Sequence, residues 1–384
     1  MPSRDNDPYF RHLRRVVDES DPALSDDAKS RAWAEGERVH AEVLAPLKLA
    51  GRTILLVGGA GYIGTPLTAA LLERGYGVVC LDLLLYRNQA CVTPFLGHPR
   101  YRFVRGDLAD AAAIERALEG VSDAILLAGL VGDPITARYP EHAQAINDEG
   151  MASLIARLKG RGLNKLVFVS TCSNYGEIPA DATADEEFPL KPLSLYAKAK
   201  VRMEGLVRDA RGNADYCATV LRFATAFGLS GRMRFDLTVS EFTRDLFAGR
   251  TLEVYDADTW RPYCHVRDFA RALIRVLEAP RADVAFEVFN AGGDVNNFTK
   301  GMIVDAVRKE LPRAQFKFVE GGRDRRNYRV DFAKIRRVLG FEPRVTVADG
   351  IRELVAALGQ GFFADYDDRL DFYRNREIAY QRPR

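Results

Sequence analysis

Five cysteines in 384 residues (Cys80, Cys91, Cys172, Cys217 and Cys264) are too few and too scattered for a disulfide scaffold, a zinc site or a redox dithiol. An odd, dispersed set suits a reducing cytosol. No apolar run approaches the length that crosses a bilayer, and the start, MPSRDNDPYFRHLRR, lacks the apolar core of a secretory signal. The expectation is a soluble, cytoplasmic chain with no membrane partner. Charge of one sign is lacking too: 55 basic residues meet 53 acidic ones for a net +2. No global field therefore recruits nucleic acid, and the basic run from Arg323 to Arg329 is short and interrupted by Asp324. Low-complexity spacers, internal repeats and clustered metal ligands are also missing, so no metal is expected.

What is present begins with a charged segment, residues 1–50, in which Ser25 to Leu49 reads as a helix with an apolar stripe of Trp33, Val39, Val43 and Leu44. From Thr53 the pattern changes. The short apolar runs TILLVGG, YGVVCLD, YRFVRGD, DAILLAG, KLVFVST and YCATVLRF alternate with helical stretches, as buried parallel strands joined by right-handed crossovers do. The fold class is α/β, a doubly wound parallel sheet. From Leu229 the segments become shorter, more polar and richer in arginine. The expected divisions are an extension over 1–50, a nucleotide-binding domain over 51–228, a substrate lobe over 229–360 interleaved with the last strands, and a tail over 361–384.

In ILLVGGAGYIG, Gly58, Gly61 and Gly64 stand between the first strand and its helix, where a bare backbone can approach a pyrophosphate at a helix N-terminus. Asp82 ends the second strand run about 20 residues further on, where a carboxylate accepts from a ribose diol and repels a 2′-phosphate. NAD is therefore expected over NADP, with Arg87 the nearby residue that speaks for the phosphate. Asp107 can accept from the adenine amine or cap the following helix, and Ala128 and Gly129 end a strand where the cofactor can lie flat. The coenzyme set is completed by Tyr62, Ile63, Leu108, Tyr196 and Lys200.

Tyr196 and Lys200, four apart in SLYAKAK, share one helix face, so the ammonium is expected to lower the pKa of the phenol. The phenol can then take a proton from a sugar hydroxyl, which Thr171 orients. Together GGAGYIG, the GD of VRGD, LLAGLVG, STCSNYG, YAKAK, LRFATAFG and RPYCHVRD resemble the extended short-chain dehydrogenase/reductase family of NAD-dependent sugar-nucleotide epimerases and dehydratases. The resemblance spans about Gly51 to Leu358. It implies a Rossmann domain with a smaller C-terminal substrate lobe, a homodimer, and a nucleotide-diphosphate sugar as the partner. The family's catalytic threonine, tyrosine and lysine fall on Thr171, Tyr196 and Lys200.

The family's dehydratases carry an Asp-Glu pair where this chain has Cys172 and Ser173, and its common asparagine after the tyrosine helix is Thr225 here. Cys172 reads as a small core residue before it reads as an acid. Arg232, Arg234, Arg261 and Arg326 gather where a diphosphate needs planar forks. The resemblance assigns Arg261 and Arg326 to that role; for Arg232, Arg234 and Arg323, exposed charge or structural pairing stands as an equal reading. Ser173, Asn174, Thr225 and Arg234 complete the expected substrate set. His265 reads as a structural hydrogen-bonder. The expected reaction is oxidation at the sugar's C4, as a 4-epimerase; a 4-dehydrogenase, a 4,6-dehydratase and an NAD-sensing module are the alternatives.

Overall fold

The computed structural model describes residues 51–179, 181–322 and 326–380. The helix expected over Ser25 to Leu49 lies outside the described residues, as does Arg323. From Gly51 the chain alternates strand and helix: β1 (Thr53–Val57), α1 (Gly64–Glu73), β2 (Gly77–Asp82), β3 (Tyr101–Arg105), α2 (Ala111–Leu118) and β4 (Asp123–Leu126). A helix running through a π-helical turn at Gln144–Gly150 ends in α3 (Met151–Leu158); β5 (Lys165–Thr171), α4 (Leu195–Asp209) and β6 (Cys217–Phe223) follow. These strands and a later one, introduced below, form one seven-stranded parallel sheet. Every residue of β5 and β6 is buried, which is why their sequences read as unbroken apolar runs.

Beyond the short strand β7 (Thr225–Phe227) come α5 (Thr238–Phe247), β8 (Leu252–Tyr255), β9 (Trp260–His265) and α6 (Val266–Glu278). Then follow β10 (Glu287–Ala291), β11 (Asn297–Thr299), α7 (Lys300–Glu310), β12 (Phe316–Val319) and α8 (Val347–Gly359). The large sheet has the order β10-β6-β5-β4-β1-β2-β3. Strand order reverses between β1 and β4, and a doubly wound sheet opens a crevice at that switch point, at the carboxyl ends of its strands.

The region after Leu229 supplies both architectures, because β10 and α6 return to the large sheet and its helix α1. The remainder forms a second core, in which Phe227, Val254, Tyr263, Ile303 and Ile351 pack under α5, α7 and α8. The small sheets β11-β9-β7 and β12-β8 frame it. The described residues after α8 pack back on this lobe. Phe363, Tyr366 and Tyr373 surround Phe235, with ring centroids 5.0, 5.2 and 5.6 Å away. A capping box of Thr346 and Asp349 starts α8, and Asp110 caps α2 through Ala113 N.

Candidate active site

One cleft opens along the carboxyl ends of the strands, and every residue expected to hold a coenzyme lines it: Gly58, Gly61, Tyr62, Ile63 and Gly64 at the β1–α1 turn, Asp82 after β2, Asp107 and Leu108 after β3, Ala128 and Gly129 after β4. Gly58 has a φ of +87°, and a Cβ there would stand 2.8 Å from Ala128 N. Only glycine lets β4 approach the turn so closely. No side chain caps the first turn of α1; Thr65 N and Leu67 N bond Gly61 O and Ile63 O and Pro66 has no N–H, so it is the positive end of the helix dipole that faces an anion in the cleft. This bare cradle fits a dinucleotide pyrophosphate.

Asp82 is fixed by two backbone donors, Ala60 N at 3.0 Å and Leu84 N at 2.8 Å. Burial pushes its carboxyl above the usual range, and those N–H groups oppose the shift. Arg87, the residue that spoke for a 2′-phosphate, is exposed and pairs at 3.7 Å with Asp371 in the tail. Asp107 does not cap α2, which uses Asp110; its Oδ1 accepts from Ala109 N at 2.7 Å while the residue faces the cleft. Asn147, in the π-helical turn, brackets the loop after β4 by accepting from Leu130 N (2.6 Å) and donating to Leu130 O (3.0 Å). A local widening of a helix is a common device for aiming such a side chain.

Thr171, Tyr196 and Lys200 all line the same cleft. Ser194 caps α4 through Ala197 N, which places the tyrosine and lysine on its first two turns. The expected electrostatics need correction. Burial, and then Asp133, push the Tyr196 phenol above its ordinary value, with Arg234 and Thr171 pulling the other way. The Lys200 ammonium does not rest against the phenol. It donates to Val169 O at 2.7 Å and lies 6.0 Å from the Tyr196 ring centroid, and burial pulls it down to about 8.

The sequence profile of the NAD dependent epimerase/dehydratase family matches residues 54–292, more than half of the chain. The chain belongs to that family. A dTDP-glucose 4,6-dehydratase from Streptomyces griseus is 30% identical over 312 residues, 79% of this chain and 93% of that protein. Among solved structures, a dTDP-glucose 4,6-dehydratase from Bacillus anthracis in complex with NAD superposes with a TM-score of 0.71 at 25% identity, over 80% of this chain and 97% of that one. The UDP-glucose 4-epimerase of Thermotoga maritima, with UDP-glucose, gives 0.70 at 25% identity over 81% and 99%. This epimerase/dehydratase family member is thus an NAD-dependent enzyme of nucleotide-sugar chemistry.

On the substrate side the family member departs from expectation at several residues. Ser173 and Thr225 line the cleft, Ser173 sharing a 3.0 Å hydrogen bond with the Tyr328 hydroxyl. Asn174 does not reach the cleft; it is buried and donates to Glu204 and Ser170 at 2.7 and 3.1 Å. Arg261 does not line it either. Its guanidinium stacks 4.8 Å from the Tyr328 ring and donates to Trp260 O, so its contribution is to hold Tyr328 at the wall. Arg326 lines the cleft but is ion-paired at 2.5 Å with Asp133, and both Nε and Nη2 of Arg234 are engaged by Asp236 at 3.0 and 2.8 Å.

Cys172 is buried with its thiol donating to Arg222 O at 3.2 Å, and burial pushes that thiol well up, as a core residue requires. His265 acts structurally: Nδ1 accepts from Arg267 N, and Nε2 bonds Glu353 Oε2 at 2.8 Å. Residues not foreseen at the cleft are Asp133, Tyr328 and, from the tail, Asn375, whose amide donates to Val131 O at 2.9 Å. The tail's place there could not be read from motifs, since the family resemblance ends before it.

Proposed function

We propose that this enzyme interconverts the C4 epimers of a nucleoside-diphosphate sugar through a 4-keto intermediate. The observation that carries the reading is what stands beside Thr171. Eliminating water across C5 and C6 needs a base for one proton and an acid for the departing hydroxyl. Here Cys172 points into the core and Ser173 is bound to Tyr328, so neither supplies a carboxylic acid. Asp133, the carboxylate that most raises the Tyr196 phenol, is ion-paired with Arg326. In this reading the enzyme works as a cytoplasmic homodimer, for which its five buried, unpaired cysteines suit a reducing compartment.

When bound, NAD would supply the hydride acceptor and, in its oxidised form, a positive charge that favours the phenolate. Gly58, Gly61, Tyr62, Ile63 and Gly64 would hold its pyrophosphate, Asp82 its ribose, and Asp107 and Leu108 its adenine end. Thr171 orients the substrate hydroxyl, and Tyr196 takes its proton as C4 is oxidised. Ser173, Thr225 and Tyr328, which line the cleft from three separate segments, keep the ketose from leaving while it turns its other face.

A closed redox cycle favours a coenzyme that never leaves. Protein purified without added nucleotide is therefore expected to release close to one NAD or NADH per chain on denaturation, measured by mass and absorbance. Chains that emerge empty but work with added NAD would move the assignment to a dehydrogenase that exchanges coenzyme. Stoichiometric NADP would show that Asp82 does not read the ribose.

A further inference from the structure

Arg232 is a buried charge that the chemistry above leaves unused. It lies in the loop that leaves β7, is 2% exposed, and faces the cleft with its guanidinium 4.2 Å from the centre of the Tyr86 ring. Neither Nε nor Nη2 has a hydrogen-bond partner among the described residues. The groups around it are committed elsewhere: Asp236 holds Arg234, and both oxygens of Asp82 accept backbone N–H groups. Burial, followed by the like charge of Arg234, pulls the guanidinium down to about 10, the direction expected of a cation whose anion comes from outside the chain. Burying a guanidinium with open donors is strongly unfavourable unless a ligand fills them.

The loop's position says which ligand. Tyr62 Oη donates to Gly228 O at 2.6 Å and Ser230 Oγ to Tyr62 O at 2.7 Å, so the loop is clipped to the glycine turn. A Cβ on Gly231 would stand 3.0 Å from Thr65 Cγ2 in the first turn of α1. The loop therefore carries Arg232 across the uncapped N-terminus of α1, while Tyr86 belongs to the loop that follows Asp82.

We propose that Arg232 clamps the pyrophosphate of the coenzyme at the N-terminus of α1, so that a residue outside the nucleotide-binding half locks the dinucleotide in place. The inference rests on the family's coenzyme and not on the C4 reading. A guanidinium recognises any phosphate pair, and the diphosphate of the sugar nucleotide is the rival source of that chemistry.

The test uses full-length protein with Arg232→Met, which keeps an unbranched stem against Tyr86, and Arg232→Lys, which keeps the charge without the fork. Calorimetric titration of coenzyme-free protein with NAD, and separately with UDP and dTDP, is paired with melting temperatures with and without NAD. Expected for Arg232→Met is an NAD affinity about 10- to 100-fold weaker, a smaller NAD-induced rise in Tm, unchanged nucleoside-diphosphate affinity, and a coenzyme-free Tm no lower than that of the unaltered protein. Arg232→Lys should fall between the two. Unchanged NAD affinity, or weakening confined to UDP and dTDP, would overturn the proposal. So would a coenzyme-free Arg232→Met protein that melts lower or fails to fold, which marks a structural arginine.

Discussion

Tyr196→Phe is expected to lower kcat by about 10²- to 10⁴-fold, the usual contribution of a positioned general acid–base group, with KM for the sugar nucleotide and NAD content little changed. The substitution removes one oxygen from the cleft and leaves the ring, whose burial and packing do not depend on it. Lys200 keeps its bond to Val169 O, so the helix end does not shift. Because burial holds the phenol above its ordinary value, the unaltered enzyme should also show kcat/KM rising with pH until the phenol ionises in the presence of coenzyme. That rise should vanish in Tyr196→Phe. Steady-state rates across pH check both statements, and near-normal turnover by the variant would remove Tyr196 from the role of base.

Glu204→Ala is expected to cost about 3–5 kcal/mol of stability, because it strands a buried cation. Arg222 and Glu204 are each 2% exposed, and their 2.9 Å ion pair joins β6 to α4. Glu204 also accepts from Ser170 Oγ at 2.5 Å and from Asn174, and Arg222 donates to Tyr175 Oη at 3.1 Å and to Glu186 O at 2.9 Å. These bonds tie the residue before Thr171 to a residue one turn beyond Lys200, so the side chains proposed for catalysis rest on this network. Urea denaturation should show the loss. Removing both charges, in Arg222→Met with Glu204→Leu, should be less damaging than Glu204→Ala alone, since no uncompensated ion remains. A double variant no more stable than the single one would mean that the smaller polar partners, not the ion pair, carry the effect.

The same residues show what a sequence can and cannot convey. β5 and β6 were legible because strands buried on both faces read as apolar runs, and the glycine turn and Asp82 because their spacing follows from how a backbone meets a diphosphate. Arg222 sits inside the apolar run YCATVLRF, and a charge there was the available signal of a buried partner. Its partner is 18 positions away in sequence and could not be read from spacing. Asn174 was misassigned to the substrate for the same reason, since its amide turns inward to that network. The Tyr196–Lys200 spacing correctly put both side chains on one helix face, but it did not reveal that the ammonium is drawn to Val169 O. Arginine's abundance pointed to the cleft wall without saying which forks face it. Arg261 lies under Tyr328, Arg326 is held by Asp133, and Arg234 is held by Asp236, whereas Arg232 stacks on Tyr86 and leaves Nε and Nη2 without a partner among the described residues.

The C4 assignment is tested most directly by following one deuterium. A 4-²H-labelled UDP- or dTDP-glucose, incubated with the purified enzyme and no added coenzyme, is predicted to give the C4 epimer with the label still on C4, read by NMR. Deuterium found at C6 of a 4-keto-6-deoxy product would mean that the enzyme eliminates water despite the missing acid pair. No turnover until NAD is added, with the deuterium then accumulating in free reduced coenzyme, would make it a dehydrogenase, and either result would contradict the epimerase account.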